Sequence, residues 1–329
     1  MKNYFLGIDV SKDFFDVVIV DYKATVVEKG LQYSNDDRGL NKFRGKLRKF
    51  NHEDLWICIE STGCYGYLIN QRLSEWNYNF SVENPLSIKR SVGITRGKDD
   101  QVDAFRIARY AQMNQYQLTP YKMPLEALRK LKEYLRARDM IVKQRTQIKN
   151  RLSSLKISSK STDLQELIEL TQSSLRSFSA ELKVIERMIM TLIESDEQIH
   201  KTYNKITKIK GVGVVTAATI IVETECFQRS QNARAFNCHC GLAPFKYESG
   251  SSVKGKTQTS SFRKRKLKTV LFNAASSAIQ HEPQLRAYYK RKLGEGKHKC
   301  SALNAVANKL VLRIFAVALR DEEWVELRA

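Results

Sequence analysis

The sequence predicts a mixed α/β domain followed by a mainly helical remainder. Three observations predict it: three strand patterns at the N-terminus, an alternation of helix and strand patterns behind them, and long apolar stripes at 3/4 spacing beyond Pro120 and Pro124. Tyr4 to Ser11, Phe14 to Asp21 and Val26 to Ser34 are rich in Val, Ile, Phe and Tyr. The turn-like SKD and DYKA separate them, so the three read as a β-meander. A helical stretch around Leu40 to Phe50 leads to an apolar strand, Leu55 to Ile59. A helix from Tyr67 to Trp76, a strand at Phe80 to Glu83 and a helix from Asp99 to Met113 follow.

Three strands and then alternating helix and strand is the order of a ribonuclease-H-like, or RuvC-like, domain, assigned here to residues 1–118. Residues 119–203 predict a helical coiled-coil spacer. Leu128, Leu131, Leu135, Val142, Ile148, Leu152 and Leu155 form one stripe, with Arg138 and Arg145 intruding on the seam. Leu175, Phe178, Leu182, Ile185, Ile189, Leu192 and Ile199 form a stricter one that breaks at Asp196. Joined through KISSKSTD, the two helices make either an antiparallel hairpin or a dimerising coiled coil. Residues 204–329 form a C-terminal domain that is mainly helical. In it, KIKGVGVVTAATIIVE opens at Gly211 and Gly213 like a helix-hairpin-helix element, whose free helix N-terminal amides receive a DNA phosphate.

A net charge of +21 and a pI near 9.7 concentrate polyanions at the surface, which makes nucleic acid the leading partner. The charge is unevenly placed. Through Gln115 there are 17 Lys and Arg against 15 Asp and Glu, or +2; the remainder carries 39 against 20, or +19. The densest run, Arg263, Lys264, Arg265, Lys266 and Lys268, is expected to contact phosphates. Six cysteines without CxxC spacing, and a start that runs directly into a strand pattern, are read as a reducing, cytoplasmic setting. No apolar stretch is read as reaching the roughly 18 to 20 residues that span a bilayer, so no membrane partner is expected. Cys238, His239 and Cys240 are too closely spaced for zinc, and no second ligand pair follows.

The chemistry is expected at four acids. Asp9 closes the first strand in FLGIDVS, and Glu60 closes LWICIE. In GKDDQVDAFRIARYA, Asp100 and Asp103 are three apart on one helix face, while Asp99 could be that helix's N-cap. Carboxylates converging from two strands and a helix repel one another unless cations neutralise them. Hard oxygen donors of this kind suit Mg²⁺ or Mn²⁺, and a metal pair can clamp both oxygens of a phosphoryl displacement. Asp13 and Asp16 read as solvated neighbours.

GIDVSK, IESTGCYG, DQVDAFRIARYA, the KGVG turn and the GLAP block followed by a Ser-Gly pair resemble, in this order, the DEDD transposases. These are insertion-sequence recombinases that include the Piv-type invertases and bridge-RNA-guided elements. The resemblance implies that Asp9, Glu60, Asp100 and Asp103 are the catalytic, metal-holding tetrad. It further implies a nucleophilic serine shortly after GLAP, best matched by Ser249 in YESG, that forms a phosphoserine link to DNA. The run FKYESGSSVKGK departs from the family pattern, which often has a basic residue and a histidine before the Ser-Gly pair. Ser251 and Ser252 are therefore rivals to Ser249. Donor and target DNA, a guide RNA and a dimer or tetramer of the chain are the implied partners. Three other readings stand beside this one. A junction nuclease would use the same carboxylates with water. An actin-like ATPase would share GIDVSK, but no second Gly-rich phosphate loop follows. A non-catalytic nucleic-acid scaffold would not need the acids.

Overall fold

A computed structural model describes residues 2–91, 100–249, 253–260 and 262–320, and divides them into two compact units, Met1–Met123 and Pro124–Ala329.

The first unit is built on one sheet. Strands β1 (Tyr4–Val10), β2 (Phe14–Asp21) and β3 (Val26–Ser34) run antiparallel as a meander and lead to helix α1 (Asp37–Leu47). Strand β4 (Leu55–Glu60), helix α2 (Tyr67–Glu75) and strand β5 (Phe80–Glu83) follow, and the unit continues with α3 (Pro85–Ser91) and α4 (Asp100–Met113). The strand order is β3-β2-β1-β4-β5, with β4 and β5 parallel to β1. Three strands and then alternating helix and strand is the chain order read from the sequence, and the register adds which strands run parallel. The two-residue period of the strands sorts their side chains to two faces. Leu6, Ile8, Val10, Leu55, Ile57 and Ile59 pack on one face with Leu40, Phe43, Ile69 and Leu73 of α1 and α2. Phe5, Val18, Val20 and Cys58 pack on the other with Ala104, Ile107, Ala108 and Ala111 of α4.

Gly7 sets how closely α4 approaches. A Cβ there would fall 2.0 Å from the Ala104 carbonyl oxygen and 2.2 Å from the Ala108 nitrogen, so helix backbone occupies the place of a side chain. Gly7→Ala is expected to push α4 off the sheet and to cost about 2 to 3 kcal/mol of stability, as overpacking does. Urea unfolding followed by circular dichroism measures it.

The second unit opens with two long helices, α5 (Glu126–Ser158) and α6 (Gln165–Ser195). They form an antiparallel hairpin within the one chain. Near its closed end Leu152 and Leu155 meet Ile168; midway Arg138 pairs with Glu186 at 2.7 Å; at its open end Leu128, Leu131 and Leu135 share a core with Ile189 and Ile193. The intruding Arg138 thus has a carboxylate on the facing helix. That same open-end core extends through α7 (Glu197–Thr207), α8 (Val214–Thr224) and α9 (Ala233–Cys240), so spacer and C-terminal helices belong to one unit.

Strands β6 (Pro244–Ser249) and β7 (Val253–Thr259) then pair as an antiparallel hairpin, an addition to the mainly helical expectation. Helices α10 (Arg265–His281), α11 (Pro283–Gly294) and α12 (Lys299–Leu319) complete the described chain. By length and composition α12 is apolar enough to cross a membrane, contrary to the reading that no stretch approaches that length. Its apolar residues are instead core: Ala302, Val306, Leu310, Ile314 and Phe315 are buried against the neighbouring helices. All six cysteines are free thiols.

Candidate active site

Strand register brings acidic residues into one row. Asp9 on β1 stands directly opposite Asp16 on β2. The parallel register of β1 and β4 pairs Ile8 with Ile59, so the next step along both strands sets Asp9 beside Glu60. Glu60 in turn pairs with Glu83 at the end of β5. Four carboxylate residues therefore cross four adjacent strands, roughly 4.8 Å apart at each step. Asp9 and Glu60 are each an even number of positions from Phe5 and Cys58, which places the row on the α4 face. The Gly7 contact seats α4 against that face, and the first turn of α4 supplies Asp100 and Asp103. All four predicted acids are thus gathered at one end of the sheet, Asp9, Glu60 and Asp103 half-buried and Asp100 exposed.

Their electrostatics are those of crowded negative charge. Burial first, and then Asp103, Asp100 and Asp16, push the Asp9 carboxyl up to about 6 from its ordinary 3.8. Burial, then Asp9 and Asp103, likewise raise Glu60. Asp103 accepts a hydrogen bond from Arg106 one turn on, at 2.5 Å. Among the described residues no three acidic, His or Cys side chains already stand close enough to hold one metal ion together. The donors nevertheless fit a divalent cation in type and charge. All are hard oxygens; beyond burial, Asp103, Asp100 and Asp16 raise Asp9, and Asp9 and Asp103 raise Glu60. Arg106 occupies one Asp103 oxygen and leaves the other for a cation.

Two acids in the row were not among the predicted site residues. Asp16, read as a solvated neighbour, is buried at 6% exposure. Its carboxylate accepts hydrogen bonds from Gln101 on α4, at 2.5 Å, and from Gln32 on β3. The Gln101 side-chain oxygen accepts from the Gly30 backbone N–H at 2.9 Å, so one residue between Asp100 and Asp103 ties the start of α4 to β2 and β3. Glu83 accepts from the Tyr110 hydroxyl at 3.3 Å. The sequence signal for Asp16 is its place in the alternation FFDVVIVD, which sets it on the face shared by Val18 and Val20. Asp13 is exposed, as expected. Asp99 lies outside the described residues.

Ser249 ends β6, where its backbone pairs with Val253. Its side chain lies outside what the structure describes, as do Ser251 and Ser252 altogether. At the other end of this hairpin, the Lys268 ammonium donates to the Gly241 carbonyl at 2.8 Å and to the Thr259 hydroxyl at 3.4 Å. Lys264 pairs with Glu223 at 2.6 Å, Lys266 with Asp139, and Arg263 donates to the Ser260 carbonyl at 3.0 Å. Of the predicted basic run, Arg265 is exposed at the first turn of α10. Gly211 adopts φ +92°, and a Cβ there would fall 2.7 Å from both the Ala274 carbonyl and the Ala278 Cβ of α10. Gly213 precedes α8 as its N-cap, and a Cβ there would meet open space. His239 lies 4.0 Å from Glu223 beside Lys264, and Cys240 is buried.

Two family models match separate stretches of this chain, the DEDD transposase of IS110 over residues 6–155 and the Transposase IS116/IS110/IS902 family over residues 203–290. The chain belongs to the IS110 family of transposases. The first stretch contains all four tetrad acids and the second contains Ser249. Among curated proteins, the pilin gene-inverting proteins of Moraxella bovis and Moraxella lacunata are each 25% identical over 98% of this chain and 98% of their own. An uncharacterised 43.6 kDa protein of insertion element IS110 from Streptomyces coelicolor is 31% identical over 47% of this chain and 37% of its own. Among solved structures, T. thermophilus RuvC in complex with a Holliday junction substrate matches 36% of this chain and 99% of its own, at 10% identity and a TM-score of 0.29. A score that low is too slight to fix a fold. The IS110 assignment therefore stands on the two sequence models.

Proposed function

We propose that this IS110-family transposase cuts and rejoins donor and target DNA by metal-assisted phosphoryl transfer through a covalent phosphoserine intermediate. The observation that carries the reading is the carboxylate row on the α4 face, where burial and then Asp103 and Asp100 raise Asp9, and burial and then Asp9 and Asp103 raise Glu60. Asp9, Glu60, Asp100 and Asp103 hold Mg²⁺ or Mn²⁺. An ion held there would polarise the phosphoryl oxygens and offset the charge that develops on them. Asp16, through Gln101, holds the start of α4 in place, and with it Asp100 and Asp103.

Ser249 is the nucleophile. Its oxygen forms a bond to phosphorus as the bond to one deoxyribose oxygen breaks, and the serine proton passes to the departing sugar hydroxyl. The phosphoserine ester keeps the bond energy, and a sugar hydroxyl of the exchanged strand reverses the step, so no net hydrolysis occurs. FKYESGSSVKGK contains no histidine to act as a base, which favours metal-assisted activation of the hydroxyl. Phosphate contacts are assigned to Gly213 at the start of α8, with Gly211 shaping that turn, and to the run from Arg263 to Lys268. A guide RNA that selects the DNA, and assembly as a dimer or tetramer, complete the reading.

Purified protein incubated with Mg²⁺ and DNA bearing the element's junction, with RNA from its flanks, is expected to yield a protease-sensitive protein–DNA adduct that EDTA abolishes. An adduct formed equally well in EDTA would remove the metal from the reaction. Free nicks without an adduct would favour the junction nuclease, with water in the place of serine.

A further inference from the structure

The second unit gathers positive charge at a place outside the predicted basic run. Helix α11 carries Tyr288, Arg291 and Lys292 at i, i+3 and i+4, and therefore on one face. Helix α12 carries Lys309 and Arg313 one turn apart. The two helices pack together, and three cations converge on one ring. The Lys309 ammonium lies 4.6 Å from the Tyr288 ring centre, the Arg291 guanidinium 5.1 Å and the Lys292 ammonium 5.5 Å.

Carboxylates answer only part of this charge. Glu295 pairs with Lys292 at 2.7 Å and reaches Arg291 at 3.7 Å, and Glu282 stands 3.8 Å from Arg313. Among the described residues Lys309 has no carboxylate within ion-pair distance. Burial, then Arg313 and Arg291, hold its ammonium below the usual lysine range. Arg313 and Lys292 keep only 16% and 17% of their side-chain surface exposed, so these charges have given up much of their hydration. A half-buried cation that faces two guanidiniums weakens the fold, and an apolar residue of similar length would pack there without that cost. Such an arrangement is relieved by an anion from outside the chain.

We infer that the α11–α12 face around Tyr288 is a binding site for the phosphodiester backbone of a nucleic acid, with Arg291 and Lys309 as its central phosphate contacts. A guanidinium fork receives two phosphate oxygens at once, and an ammonium adds a point charge beside it. The site continues as a line rather than a closed pocket. Beyond the exposed Arg291, Lys297 and Lys299 are exposed where the chain passes from α11 to α12, which suits a polymer over a small anion. The inference rests on the nucleic-acid part of the reading above and is independent of strand transfer.

The test is equilibrium binding of the full chain to labelled duplex DNA and to labelled single-stranded RNA. Anisotropy is read in EDTA across about 50 to 200 mM salt, the range over which phosphate contacts weaken most visibly. R291Q, K309Q and the pair are compared with K49Q, an exposed lysine of the first unit that corrects for net charge. The paired variant is expected to bind more weakly than K49Q. Its slope of log affinity on log salt should be shallower by about 0.9 for each lost contact on duplex, or about 0.7 on a single strand. Its melting temperature should be unchanged or higher, because a like-charge cluster has been thinned, and K309R should restore binding. Loss confined to duplex assigns the site to DNA, loss confined to RNA assigns it to the guide, and either supports the inference. Affinity and slope equal to K49Q on both ligands would overturn it while leaving the recombinase reading intact. Wild-type protein that binds neither ligand would overturn both.

Discussion

Ser249→Ala is expected to abolish the covalent protein–DNA adduct and strand joining while leaving DNA binding unchanged. Loss of a covalent nucleophile removes the step itself, and falls on the order of 10⁴ or more follow from such deletions in other enzymes. The alanine stands at the last residue of β6, where the backbone pairing of Ser249 with Val253 needs no side chain, so the hairpin should keep its register. The carboxylates of the first unit are untouched by the change. Slow nicking by water at that centre is the residual activity expected. Denaturing gels with and without protease read both products. An adduct that persists in Ser249→Ala moves the nucleophile to Ser251 or Ser252, and the double variant Ser251→Ala/Ser252→Ala decides between these and Ser249. Unchanged nicking in all three variants, with no adduct in wild type, returns the chemistry to hydrolysis.

The two halves of this chemistry were not equally legible in the sequence. β1 and β4 were readable because apolar alternation is strong in a half-buried strand, and each ends in an acid that breaks its run. α4 was readable because Asp100 and Asp103 fall three apart ahead of a buried alanine-rich face. What escaped depended on contacts across the sheet. Asp16 follows a turn-like SKD and looks solvated until pairing with β1 and β3 encloses it. Gly7, inside the first strand pattern, carries no signal of its own until α4 is seen to occupy the space of its missing side chain.

In the second unit, the β6–β7 hairpin escaped because β6 alternates only Phe245 and Tyr247 with polar residues and β7 is Lys, Gly, Thr and Gln after Val253, so the apolar signal is too short to mark two strands. The division between spacer and C-terminal domain rested on a change of pattern near residue 204, yet the core runs through it. Ile189 and Ile193 on one side of that point pack with Ile206 and Ile220 on the other. Lys264, Lys266 and Lys268 each bond within the unit, whereas the cations around Tyr288 are spread over two helices and form no run at all.

Asp9→Asn is expected to act in opposite directions on activity and stability. With a metal-holding oxygen charge removed from the centre of the row, cleavage should fall on the order of 10³ or more. The metal-free fold should gain. Folded Asp9 titrates at about 6 against an ordinary 3.8, so the native state binds its proton more tightly than the unfolded chain does. A raised carboxylate of this kind contributes stability that is complete below its ordinary value and is lost as pH rises through about 6. Asparagine has nearly the same shape and carries no charge. In EDTA the variant should therefore melt higher than wild type at pH 8, match it near pH 4, and show a flatter pH dependence between those limits. Adding Mg²⁺ should raise the wild-type midpoint more than the variant's, because only an ion bound to the native state stabilises it. Calorimetry across pH, with and without Mg²⁺, reads all three effects. A variant that cuts like wild type would detach Asp9 from the chemistry. One that is inactive but less stable at pH 8 would mean that its carboxylate supports the fold, in which case lost activity would say nothing about metal.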